Sequence, residues 1–162
     1  MSRGETVRYG PVLYRDYPIG TLGLMDDGQG VSRVFLRREG VQYDFPEGET
    51  ALTLQAAVQL DEYFSGSRNC FTVPLSPHGT AFQLAVWQAL RDIPYGQTRS
   101  YGEIAAAVGR PKAARAVGKA NHDNPLLIFT PCHRVVGKNG GLTGFACGVE
   151  VKCRLLELEG GV

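Results

Sequence analysis

The spacing of apolar and polar positions changes character midway along this 162-residue chain. In the first half, Val7 to Arg15, Thr21 to Met25 and Val31 to Leu36 are rich in β-branched and apolar side chains, with the turn sequence Asp26-Asp27-Gly28-Gln29-Gly30 before the third. Three strands in an antiparallel meander are predicted. Thr50 to Phe64 then repeats Leu54, Val58, Leu60, Tyr63 and Phe64 at helical spacing and stops at Ser65-Gly66. Val73 to Gly79, with its Pro, Ser and Gly, reads as a linker. Beyond it, Phe82, Val86, Leu90 and Ile93 form a helical stripe with Trp87 beside it, ended by Pro94-Tyr95-Gly96. Ser100 with Glu103 makes a capping box that opens a helix over Tyr101 to Val108. Gly109 breaks that helix, Pro111 suits a first helical position, and Lys112 to Ala120 forms the next. Two short helices across a three-residue turn define a helix-turn-helix unit. The prediction is an α+β protein, with an α/β supporting domain over residues 1–75 and a mostly helical domain over 76–162.

Composition narrows the class. Apolar content of 43% and charged content of 20% are those of a soluble globular protein. No stretch has the length to cross a bilayer, and the opening MSRGETVRYG has no apolar signal region, so an intracellular protein with no membrane partner is expected. Cys70, Cys132, Cys147 and Cys153 match no zinc spacing, and reduced thiols with no metal are expected. The net charge of +1 hides an asymmetry: residues 1–79 carry −3, residues 80–162 carry +4, and 91–140 alone carry +5. A basic half beside an acidic half points to one face for a polyanion.

The Lys112 to Ala120 segment sharpens that reading. Ala113, Ala114, Ala116, Gly118 and Ala120 leave it almost bare of side chain, while Lys112, Arg115 and Lys119 recur at i, i+3 and i+7. Small residues admit a close backbone partner, and the cations would neutralise phosphates. The alternative is a solvated helix with good alanine propensity. Chemistry centres on Pro131-Cys132-His133-Arg134, which follows the apolar run Leu126 to Phe129. Neighbouring positive charge or a basic imidazole raises a thiol's thiolate fraction at neutral pH. His133 is a candidate base, acting through a bridging water because adjacent residues seldom face each other. The alternative is a buried cysteine beside a surface histidine.

From Gly79 onward the chain closely resembles the O6-alkylguanine-DNA alkyltransferases, single-use repair proteins that move an alkyl group from DNA to one of their own cysteines. The resemblance rests on Gly79-Thr80-Ala81-Phe82-Gln83, Val86-Trp87, Ile93-Pro94-Tyr95-Gly96, Ser100-Tyr101, Lys112 to Gly118, Asn124-Pro125 and Pro131 to Val136. The first half is similar more weakly, through Pro18-Ile19-Gly20 and its strand-then-helix pattern.

That resemblance implies a small ribonuclease-H-like first lobe and a winged-helix-like second lobe holding the helix-turn-helix and the active site. It implies that Cys132 accepts the alkyl group, that His133 takes the thiol proton through water, and that Glu159 holds the imidazole. By sequence alone Glu159 reads as a solvated residue near a helix end. Asn124 would link the helix before it to the active-site loop. The Tyr101 hydroxyl would donate toward N3 of the base, although on its own Tyr101 reads as an aromatic on a helix's first turn. Arg115 would fill the space of the extruded nucleotide, with Ala113, Ala114, Gly118, Lys112, Arg110, Lys138 and Phe82 completing the DNA-binding set. Val135, Phe145, Ala146, Cys147 and Pro131 would line the substrate pocket. The implied partner is double-stranded DNA carrying O6-alkylguanine, bound through the minor groove by a monomer, with O4-methylthymine as a further substrate and cooperativity along DNA left open. No cofactor is implied, because DNA itself is the alkyl donor. The compartment would be cytoplasm in a prokaryote and nucleus in a eukaryote.

Two positions depart from the family pattern. Phe145 stands where tyrosine is usual and Cys147 where glycine is frequent, which bears on rate and on tolerance of bulky adducts. Competing readings are a non-catalytic alkyltransferase-like protein that only binds alkylated DNA, a helix-turn-helix regulator with a sensing cysteine, and a cysteine hydrolase. The first usually lacks the acceptor cysteine, the second usually carries extra domains, and the third lacks a visible oxyanion or triad arrangement.

Overall fold

Leu13–Tyr17 (β1), Gly20–Asp26 (β2) and Val31–Leu36 (β3) pair as an antiparallel sheet in that order. Tyr17 lies opposite Gly20 across the two-residue turn Pro18-Ile19, which sets the register that brings Leu13 opposite Leu24. The expected strand over Val7 to Arg15 is therefore shifted. Pro11 has no N–H to give to a ladder, and the tight turn extends the strand to Tyr17. The computed structural model describes residues 10–142 and 147–160, and Val7 to Tyr9 lie outside them.

Ala51–Phe64 (α1) opens with a reciprocal capping box between Thr50 and Thr53. Its buried stripe is Thr53, Ala56, Ala57, Leu60 and Tyr63, whereas Leu54 and Val58 are 38% and 56% exposed. Of the expected stripe, Leu60 and Tyr63 are buried, while at its start the buried positions are Thr53 and Ala57 rather than Leu54 and Val58. Two alanines let α1 come close to the sheet, and Thr53 is buried because its hydroxyl closes the cap. The core of this unit is Leu22, Leu24, Met25, Val31 and Val34 under that alanine face.

The expected linker is tied down over most of its length. Gln59, buried on α1, accepts hydrogen bonds from the backbone N–H of Thr72 (3.0 Å) and Val73 (3.2 Å). Leu75 bridges to Val31, and Asp27 accepts from Ser76 Oγ (2.5 Å) and pairs with His78 Nε2 (2.8 Å). The chain divides into two compact units between His78 and Gly79.

The second unit begins with Ala81–Arg91 (α2), capped reciprocally by Thr80 and Gln83 and burying Val86, Trp87 and Leu90. Arg99–Ser100 (β4) pairs in parallel with Val135–Val136 (β5). Tyr101–Ala107 (α3) is capped at Ser100, whose hydroxyl accepts from Glu103 N–H at 3.1 Å. Gly109 ends it in the left-handed region at φ 76°, and Arg110 N–H returns to Ala105 C=O at 2.9 Å, the bond pattern of a glycine C-cap. Ala114–His122 (α4) follows, and Val149–Leu158 (α5) closes the unit. The helix expected from Lys112 starts two residues later, because Ala113 offers no capping side chain and residues 111–112 remain in the turn. The turn spans 108–113 rather than three residues, and Lys112 leaves the row expected with Arg115 and Lys119. Antiparallel sheet plus helix in one unit and helices around a minimal sheet in the other make the fold α+β. Among the described residues no helix is long and apolar enough to cross a membrane.

Candidate active site

The chain leaves α4 at Asp123 and enters a segment buried from Leu126 to Val136. Asn124 organises its start. Its Oδ1 accepts from Leu126 N–H (2.9 Å), and its Nδ2 donates to the carbonyls of Thr130 (2.8 Å) and Leu126 (3.4 Å). Ile128 has φ 72° and is 1% exposed, and Phe129 N–H bonds to Leu127 C=O across it at 2.9 Å. That is a γ-turn of the rare, left-handed kind, which for a β-branched residue costs on the order of 1–3 kcal/mol. Pro131, at φ −79° and ψ 67°, makes a second γ-turn of the common inverse kind, closed by Cys132 N–H to Thr130 C=O at 2.8 Å. Arg91 of α2 holds the segment from outside through Thr130 Oγ1 at 3.1 Å.

Cys132–Arg134 form one 3-10 turn, all three buried. Asn121, buried on α4, donates to Cys132 C=O at 3.3 Å. Glu159, the C-cap of α5, has a fully buried carboxylate. Its Oε2 meets His133 Nε2 at 2.6 Å and Arg134 Nη2 at 3.1 Å, and its Oε1 accepts from Arg134 Nε at 2.7 Å. Arg134 also donates to Ile93 C=O at 2.8 Å. Lys152, wholly buried on α5, donates to Val135 C=O at 2.5 Å.

These contacts fix charge states. Burial pulls the His133 imidazole below its ordinary pKa, against the upward pull of Glu159. Arg134 already neutralises the carboxylate, so a neutral imidazole suits the cluster. An ionised carboxylate only accepts, which puts the single imidazole proton on Nε2 and leaves Nδ1 as a bare base. Nδ1 is buried and has no hydrogen-bond partner among the described residues. Burial pushes the Cys132 thiol up to about 12, opposed by a hydrogen bond from the Asn124 side chain and the charge of Lys152, and reinforced by Cys147. The expected cationic activation is present but does not prevail: the resting sulfur is a thiol, and it needs a base. Burial, with the nearby Cys132 sulfur as a lesser cause, raises the Tyr101 hydroxyl, so it is held protonated as a donor.

Cys132, His133, Glu159, Asn124 and Tyr101 therefore converge in one unit. Pro131 and Val135 flank Cys132 in the buried run, Cys147 is half-buried, and Phe145 and Ala146 lie outside the described residues. Arg110, Lys112, Arg115 and Lys138 are exposed, while Phe82, Ala113, Ala114 and Gly118 are half-buried. The Arg110 guanidinium lies 5.6 Å over the Phe82 ring, and Lys119 is paired with Asp123 at 3.1 Å. Sequence reasoning missed Asn121, the ion pair of Arg134 and buried Lys152. A signal existed: Lys152, Leu155, Leu156 and Glu159 share one helical face, so two charged residues fall on an apolar stripe.

The family model for the 6-O-methylguanine DNA methyltransferase ribonuclease-like domain matches residues 12–77, and that for the DNA binding domain of the same family matches residues 81–161. The chain belongs to the 6-O-methylguanine DNA methyltransferase family. It is 50% identical over 150 residues to the constitutive methylated-DNA–protein-cysteine methyltransferase of Bacillus subtilis, covering 88% of this chain and 90% of that one. It is 47% identical over 146 residues to the methylated-DNA–protein-cysteine methyltransferase of Methanosarcina acetivorans, covering 88% and 94%. Among solved structures it is similar to Mycobacterium tuberculosis OGT in complex with DNA, at 45% identity and a TM-score of 0.85 over 92% of each chain.

Proposed function

We propose that this chain repairs DNA by taking the alkyl group from O6 of an extruded guanine onto Sγ of Cys132, once per molecule. The observation that carries the reading is the buried relay Arg134–Glu159–His133, which leaves Nδ1 as a base in the same turn as Cys132. As His133 takes the thiol proton through a bridging water, the sulfur forms a bond to the alkyl carbon and the C–O6 bond breaks. The released electron pair stays on the base, which Tyr101 assists by donating toward N3. The net result is a thioether on the protein, an unmodified guanine, and the thiol proton transferred to the base. A thioether is a poor leaving group, so no turnover follows. The alkyl donor is DNA, and no cofactor enters.

Extrusion is required because O6 lies inside the stacked, paired duplex, and it costs a few kcal/mol, less at a damaged pair. The solved relative in complex with DNA supports DNA as the partner. Gly118 supports contact through α4: a Cβ there would meet Tyr101 at an ordinary 3.8 Å, so internal packing does not require glycine. Bare space on that face suits close approach to a minor groove. Arg115 is exposed beside it and fits a stacking, charged finger. A monomer acting in the DNA-containing compartment completes the proposal.

The test is to incubate the protein with duplex DNA carrying O6-methylguanine, take the intact mass and map the modified peptide. One added methylene per molecule on Cys132, abolished in Cys132→Ala, is the expected result. Lesion-selective binding without a mass change would instead support the non-catalytic reading.

A further inference from the structure

We infer that Ile128 is a positioning residue for the transfer: its branched side chain holds a left-handed γ-turn that aims the chain at Cys132. The inference rests on Cys132 being the acceptor and deepens that reading.

Among the described residues every other left-handed position is a glycine, from Gly20 to Gly160. Glycine would occupy φ 72° without strain, and a β-branched residue is the least suited to it. Ile128 is nonetheless there, 1% exposed, so its side chain is seated in the core while its backbone is bent. The turn is also clamped at both ends. Thr130 N–H reaches back to Leu126 C=O at 2.9 Å, and the Asn124 amide binds both the Leu126 and Thr130 carbonyls. Little slack lies between this turn and the sulfur, because the next turn at Pro131 already ties Cys132 N–H to Thr130 C=O.

Two of the groups that work with Cys132 are set by other elements. Tyr101 starts α3, and Glu159, which holds His133, caps the end of α5, both outside residues 126–131. A relaxation at Ile128 therefore displaces the sulfur relative to its partners, and displacements of about 1 Å cost roughly a hundredfold in rate. The Asn124 amide that binds the turn also opposes the upward pull of burial on the Cys132 thiol, so the same relaxation alters how readily the thiol ionises.

The test compares Ile128→Gly, Ile128→Ala and Ile128→Val with the parent chain. The readouts are the second-order rate constant for transfer from O6-methylguanine in duplex DNA, its pH profile, the thermal midpoint, and DNA affinity in a Cys132→Ala background. The glycine chain is expected to lose roughly tenfold or more in rate with a displaced pH profile, while DNA affinity stays within about twofold. It should melt at or above the alanine chain, reversing the usual order for a non-glycine site, and the valine chain should recover most of the rate. Parental rate and pH profile in the glycine chain would overturn the inference, as would an alanine chain more stable than the glycine one. If the glycine chain does not fold, the alanine chain decides: slow transfer with a displaced profile supports the inference, and parental transfer removes it. Failure of the parent itself to transfer would remove the acceptor reading, whereas a fast Ile128→Gly would remove only this inference.

Discussion

Replacing Glu159 with glutamine tests the relay at its centre. The carboxylate is fully buried and accepts from His133 Nε2 and from two nitrogens of Arg134. Glutamine offers one acceptor oxygen and an amide that must face one of these donors. It also leaves the Arg134 guanidinium, itself only 8% exposed, without a counter-charge. Breaking a buried pair from one side costs about 3–5 kcal/mol. At roughly 2–4 °C per kcal/mol for a chain of this size, the thermal midpoint should fall by about 6–20 °C. Transfer should slow by roughly a hundredfold, because imidazolium formation loses its carboxylate. The double change Glu159→Leu with Arg134→Met should recover most of the stability, since a well-packed apolar pair can replace a buried ion pair, yet it should remain slow. Circular dichroism melts and single-turnover transfer on O6-methylguanine duplex separate the two effects. A glutamine variant that melts within about 2 °C of the parent and transfers as fast would refute the assignment of both the pair and the base.

Three other outcomes follow from the same geometry. Because His133 has a lowered pKa when folded, the unfolded chain binds its proton more readily; full stability is present above the ordinary value of 6.5 and is lost as pH falls from there through the lowered folded value. Thermal melts should decline on that side, and His133→Gln should flatten the decline. With the Cys132 thiol pushed up to about 12 and Cys70 exposed, iodoacetamide at neutral pH should label Cys70 first in the absence of DNA; peptide mapping that finds Cys132 labelled first would contradict the protonated resting state. Gly118→Ala should raise the thermal midpoint, by about 0.5–1 kcal/mol of helix stability, while weakening binding to O6-methylguanine duplex; unchanged affinity would count against α4 as the contact helix.

Elements bounded by side-chain caps were legible in the chain. Thr50 and Ser100 each begin a helix where the pattern put it, and Thr80 caps the helix whose stripe starts at Phe82. Where no cap exists, as at Ala113, the start slipped by two residues. Cys132 and His133 could be singled out because they are adjacent in sequence. Glu159 could not be reached from the residues alone, since its burial depends on α5 returning over the 3-10 turn; the family resemblance supplied it. Nothing local announces that Ile128 is left-handed, because that conformation is held by the seating of its side chain in the core and by the Asn124 bonds at the ends of the turn. The stripe on α1 was misread because hydrophobicity favoured Leu54 and Val58, whereas close approach to the sheet favoured Ala56 and Ala57.

Trp87 is the only tryptophan of the chain, 2% exposed, with its indole N–H bound to the Ala120 carbonyl of α4 at 2.8 Å. Gly79 lies against its ring, where a Cβ would come within 2.6 Å. Indole emission consequently watches a single unit, from Gly79 to α4, with tyrosines alone reporting on the other. A fluorescence trace and a circular dichroism trace taken on one sample would then tell whether the unit ending at His78 and the unit beginning at Gly79 lose their order together or in succession.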